Sequence, residues 1–113
     1  MPNIFPKYFK QSEIKGLNDK LVLMLDQARE FAQIPFCITS GLRTADQNKA
    51  VNGISNSAHL KGLAVDLQCY NGNDRFKIVT ALLKAGFNRI EITKDHIHTD
   101  IDELKPKNTI FLQ

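Results

Sequence analysis

The segment GLAVDLQ, residues 62–68, puts a carboxylate in the middle of a run that otherwise reads as a buried strand. Alternation sets Gly62, Ala64 and Asp66 on one face and Leu63, Val65 and Leu67 on the other, so the face carrying Asp66 is cleared of bulk. A buried charge without a partner is costly. Any fold of this chain must therefore bring a partner to the small-residue side of that strand, and a metal ion would satisfy it.

The chain has three histidines, and all lie near carboxylates. His96 and His98 sit one residue apart in KDHIHTD, residues 94–100, and in a strand the side chains at i and i+2 point to the same face. His59 belongs to SAHLKGLAVD, the ten-residue run that ends on Asp66. A histidine from a loop, an aspartate from the next strand and a histidine from a partner strand can converge on one point. His, Asp, His is a zinc set that leaves a fourth tetrahedral position open. Taken singly, plainer readings exist: His59 on a surface loop, Asp66 capping a turn, residues 96–98 as a strand with a solvated face. Taken jointly, they require every histidine of the chain to fall beside a carboxylate with no common cause.

SAHLKGLAVD, read as Ser-x-His-x-x-Gly-x-Ala-x-Asp, together with DHIH and the upstream TSGLRT, resembles the M15 family of zinc D-Ala-D-Ala peptidases and related cell-wall endopeptidases. That family shares its metal-site scaffold with the hedgehog signalling domain. The match covers about residues 36–101 in the right order. The resemblance implies one zinc ion held by His59, Asp66 and His98. It implies Asp95 as general base, taking a proton from water that zinc acidifies to a pKa of roughly 7. It also implies His96 and Arg43 as stabilisers of the oxyanion, with Arg43 alternatively clamping a substrate carboxylate. Arg43, Gln47 and Ser57 are candidate substrate contacts, and Asp100 is a candidate contact to substrate or to a ligating histidine.

Each of these also has a plain reading: Arg43 as a solvated arginine, Gln47 as part of a capping box with Thr44, Ser57 as the start of a turn. Strict alternation places Asp95 on the face opposite His96 and His98, so it reaches the site only if the chain is turning or bulged there. Glu91, which alternates outward with Arg89 and Thr93 in RIEIT, is the reserve base. The expected function is a zinc-dependent peptidase cutting a peptidoglycan stem peptide at D-Ala-D-Ala or L-Ala-D-Glu. The alternative is a zinc-containing module of the same fold that binds cell-wall material or a protein without cleaving it, and such a module has no need of Asp95.

Elsewhere, Leu17, Leu21, Met24, Leu25, Ala28, Phe31 and Ala32 recur at helical steps, and Pro35 closes that helix. Residues 36–40 read as a buried strand, 44–51 as a short capped helix, 52–57 as a polar loop. A further helix after 71–74 carries Phe76, Val79, Leu82 and Leu83 as its stripe and ends at Gly86. Strands follow at about 88–93 and 96–101, with a short extended piece near TIFLQ. The order predicts an α+β fold with a small antiparallel sheet packed with helices, of the hedgehog/DD-peptidase type, as one zinc peptidase domain over residues 1–113.

At 42% hydrophobic and 24% charged residues the composition is that of a globular chain. The net charge of +3 is scattered rather than gathered into a stripe, which argues against nucleic acid as partner. No apolar run is long enough to insert in a membrane, and MPNIFPKYFKQSE does not read as a signal peptide. The expectation is a monomer made in the cytoplasm and acting at the cell wall or periplasm. Cys37 and Cys69 lie in apolar stretches and read as buried, reduced thiols that pair only if their strands are neighbours.

Overall fold

A computed structural model describes residues 4–51 and 57–113; apart from Ser57, the polar loop expected at 52–57 lies outside them. The elements are α1 (Asp19–Ala32), β1 (Ile38–Ser40), α2 (Ala45–Ala50), a 3-10 turn (Ala58–Lys61), β2 (Ala64–Gln68), α3 (Gly72–Lys84), β3 (Arg89–Ile92), β4 (His96–Asp100) and β5 (Thr109–Leu112). Asn18 caps α1 by accepting from the backbone N–H groups of Lys20 and Leu21, and Gln33 ends it in the left-handed region. Thr44 and Gln47 form the predicted capping box of α2.

The five strands form one sheet in the order β1-β2-β4-β3-β5. The first three pairings are antiparallel, as expected, but β5 runs parallel to β3, so the sheet is mixed. The cause is topological. The segment after β4 reverses direction and crosses to the far side of β3, and a strand opposed to β4 beyond β3 must run with β3.

One face of the sheet is apolar. Val65 and Leu67 of β2, Ile90 of β3 and Ile97 of β4 join Leu21, Val22, Leu25 and Ala28 of α1 and Ile78, Ala81 and Leu82 of α3 in a single buried cluster. The buried stripe of α3 is therefore rotated from the predicted one: Leu82 is in it, Val79 packs at its edge, and Phe76 (71% exposed) and Leu83 (45% exposed) face outward. Both stripes fit a helical period, and packing against α1 selects between them. Cys69 is buried as expected, but Cys37 is exposed just before edge strand β1; both are free thiols. Among the described residues no helix is long and apolar enough to cross a membrane.

Candidate metal centre

The other face of the sheet is polar, and the register lines its residues up across all five strands. Ser40 opposes Asp66, Asp66 opposes His98, His98 opposes Glu91 and Glu91 opposes Phe111. Directly opposed residues share a face, so these side chains form one transverse row. The row lies along a cleft of about 710 Å³ that Arg43, Ser57, His59, Arg89, His96 and Asp100 also line.

His59 reaches this row from the 3-10 turn. Ser57 caps the turn, its hydroxyl accepting from the His59 backbone N–H at 3.2 Å. Gly62 ends the turn in the left-handed region at φ 71°, where a Cβ would stand 2.4 Å from the Gly16 carbonyl oxygen. Only glycine fits there, and the Asn18 N–H donates to the Gly62 carbonyl at 2.9 Å, tying the turn to the start of α1. Gly62 thus precedes β2 instead of belonging to its small-residue face, which is left to Ala64.

The His59 imidazole is buried, with Nδ1 2.8 Å from the Gly41 carbonyl oxygen and Nε2 3.2 Å from Asp66 Oδ1. A carbonyl only accepts, so Nδ1 carries a proton and Nε2 is the nitrogen turned toward Asp66. His98 is oriented the other way round. Its Nδ1 lies 2.9 Å from Asp66 Oδ1 and its Nε2 2.8 Å from Asp100 Oδ2. Asp100 is itself fixed, accepting from Arg89 Nε at 3.1 Å and from the Asp102 backbone N–H at 3.2 Å.

These arrangements set the charges. Burial alone would raise the Asp66 carboxyl, but hydrogen bonds from His59 and His98 outweigh it and hold Asp66 well below the usual carboxylate range. Burial would lower His98, but its hydrogen bonds to Asp100 and Asp66 push it up to about 9.

One ligand atom from each of His59, Asp66 and His98 can be chosen so that all lie within 4.8 Å of one another. The donor set fits a divalent ion such as zinc. Each imidazole turns one nitrogen toward the Asp66 carboxylate while its other nitrogen is held by an oxygen, the support that ligating histidines usually have. Asp100 is then the group that orients His98. Asp100→Asn is expected to weaken metal affinity about tenfold and Asp100→Ala up to about a hundredfold. Competition with a chelating dye measures both, and unchanged affinity in both variants would remove Asp100 from this role.

The remaining sequence candidates fall into place around that centre. Arg43 is half-buried, with Nε 3.0 Å from Ser40 Oγ, NH1 3.2 Å from Asn48 Oδ1 and NH2 3.4 Å from Asp66 Oδ2. It is a fixed cation at the cleft rather than a solvated arginine. Gln47 is exposed and its side chain accepts from the Thr44 backbone N–H at 2.9 Å. The structure thus engages Gln47 in the cap and does not place it among the cleft residues.

Asp95 precedes β4 in the turn after β3, so alternation does not govern it. Thr93 Oγ1 organises that turn, accepting from the His96 backbone N–H at 3.0 Å and donating to Asp95 Oδ1 at 3.1 Å. Asp95 Oδ1 lies 2.7 Å from His96 Nδ1, and His96 Nε2 lies 4.0 Å from Asp66 Oδ2. The His96 ring therefore bridges Asp95 to the centre. Asp95 itself is not among the cleft-lining residues, whereas Glu91 faces the cleft, half-buried in the row beside His98.

Three participants escaped the sequence reading. Asn48 is buried one helical turn after Thr44, and nothing in a six-residue polar helix marks its inward side. Arg89 shares Glu91's outward alternation, a signal that was available. Phe111 is brought to the row only by the parallel pairing of β5.

Comparison with known proteins identifies the class to which this α+β sheet with its His–Asp–His cluster belongs. The family model described as Peptidase M15 matches residues 8–102, and the chain belongs to the peptidase M15 family. Among solved structures it is similar to the L-Ala D-Glu endopeptidase ChiX of Serratia marcescens. The two share 22% identity at a TM-score of 0.65, over 87% of this chain and 89% of that one. That likeness establishes the fold. A search of curated proteins found no match.

Proposed function

We propose that the chain is a zinc-dependent peptidase that hydrolyses a peptide bond in peptidoglycan stem peptides. The observation that carries this reading is the meeting of His59, Asp66 and His98 within 4.8 Å on the floor of the cleft, in a chain of the peptidase M15 family. His59 through Nε2, Asp66 through its carboxylate and His98 through Nδ1 would hold the ion. Zinc in such a site polarises a peptide carbonyl and acidifies water to a pKa of roughly 7.

The chain's own residues then divide the work. Asp95 takes the proton from the attacking water and returns it to the leaving amine. His96 holds the Asp95 carboxylate through Nδ1 and, when doubly protonated, donates from Nε2 to the developing oxyanion. Arg43 keeps one N–H on each of NH1 and NH2 beyond those used by Asn48 and Asp66, available to the oxyanion or a substrate carboxylate. Ser57 serves the site by capping the turn that carries His59, on the cleft wall where substrate would lie. The domain is read as spanning the whole chain, as a monomer acting where cell wall is reached. A module that only binds has no use for the Asp95–His96 pair, and its presence beside the cluster favours hydrolysis.

Of the two candidate bonds, the fold shared with an L-Ala D-Glu endopeptidase favours the one between L-alanine and D-glutamate. Digestion of purified muropeptides followed by mass spectrometry tests both points at once. Loss of L-alanine from the stem is the expected product, loss of terminal D-alanine would move the cut to the other bond, and intact stems would refute the peptidase reading.

A further inference from the structure

We infer that Glu91 is the recognition group for an ammonium on the substrate, one strand away from the metal-ligating His98. This rests on the peptidase reading and adds a specificity to it. Ser40, Asp66, His98, Glu91 and Phe111 stand in one row across the sheet. Its central carboxylate, Asp66, is engaged by His59, His98 and Arg43, and the neighbouring Asp100 by His98 and Arg89. Glu91 is half-buried in the same cleft, and among the described residues its side chain has no hydrogen bond or ion pair. Among the described residues it is the cleft carboxylate that no ion pair engages.

The nearby cations do not supply one. Arg89 is committed to Asp100 through Nε and to the Pro106 carbonyl through NH1, and its guanidinium sits 4.8 Å from the centroid of the Phe111 ring. Lys105 lines the cleft without a salt bridge to Glu91, and Arg43 stands at the opposite end of the row. Phe111, next in the row after Glu91, adds an aromatic wall. Carboxylate beside aromatic ring suits an aliphatic amine, which needs a counter-ion for its head and an apolar surface for its stem.

Adjacent strands lie about 4.8 Å apart, so an ammonium held by Glu91 belongs to a group close to the scissile bond. A stem peptide offers two amines: the α-amine of its first residue once freed from the glycan, which adjoins the L-Ala–D-Glu bond, and the side-chain amine of its diamino acid, farther along the stem. The shared chemistry is the ammonium, and selective acetylation separates the sources. β5, which carries Phe111, lies beyond the residues matched by the family model.

The test compares the zinc-loaded wild type with Glu91→Gln on three synthetic stem peptides: both amines free, only the α-amine acetylated, only the side-chain amine acetylated. For the wild type, acetylating the recognised amine is expected to lower kcat/KM about tenfold, and acetylating the other to leave it unchanged. Glu91→Gln is expected to lose about tenfold on the free peptide, to become indifferent to acetylation, and to keep its bound metal. Equal cleavage of all three peptides by the wild type overturns the assignment while leaving the peptidase standing. Failure of the wild type to cut any peptide overturns the peptidase and the assignment together. A Glu91→Gln variant inactive on all three alike would make Glu91 the general base and its recognition role wrong.

Discussion

Replacing His59 with alanine is expected to take the purified protein from about one bound zinc to none, and peptide hydrolysis to background. His59 is the proposed ligand that the fold holds most visibly: a capped turn, a left-handed glycine against the Gly16 backbone and a hydrogen bond to Gly41 fix its ring. With two ligands remaining, the donor set falls below the three protein ligands of catalytic zinc sites. Elemental analysis gives the stoichiometry, and a thermal melt separates loss of metal from loss of fold. Retention of a full equivalent of zinc by a folded His59→Ala protein would show that the ion sits elsewhere.

The same preparation carries a pH signature. His98 is raised to about 9 in the metal-free protein by Asp100 and Asp66, so it holds a proton at neutral pH that an ion must displace. Apparent zinc affinity should therefore rise about tenfold per pH unit as pH climbs toward 9 and level off above it. For stability the sign is fixed by the same shift. A raised histidine stabilises the metal-free fold fully below its ordinary 6.5, and that contribution fades as pH rises through about 9.

Asp95→Ala is expected to keep its zinc while hydrolysis of muropeptides falls by about 10²–10⁴. The separation is expected because the Asp95 side chain is 56% exposed and holds none of the ligating histidines. The turn's own bond in this region, from the Cys69 N–H to the Asp95 carbonyl, is main-chain and survives the substitution. Hydrogen bonds from His96 and then Thr93 lower the Asp95 pKa and so keep the carboxylate ionised. Rates measured by mass spectrometry on the same stem peptides check it. A variant that digests them as fast as the parent would hand the base role to another group, with Glu91 next in position.

Much of the site was legible because alternation in a strand is a strong local rule. Residues 96–100 put both histidines and Asp100 on one side and Ile97 and Thr99 on the other, and the structure keeps that division. The carboxylate in the middle of β2 announced a polar partner, and two imidazoles and a guanidinium answer it. The same rule failed at Asp95, because it applies within a strand and Asp95 lies in a turn. Helical periodicity proved weaker on α3, where two stripes satisfied the period and contact with α1 admitted one.

By itself, then, the sequence determined an α+β chain and the faces its strands present, since both follow from residue type and local period, while the set His59, Asp66 and His98 was what its resemblance to the M15 family implied. Only the tertiary structure decided which nitrogen of each histidine turns inward, because that depends on the Gly41 carbonyl and Asp100 carboxylate on the far side of each ring. It also decided the strand register that sets Glu91 and Phe111 in line with His98. Pairing between distant strands is a non-local choice, made by the packing of the whole sheet and not by any one of its segments.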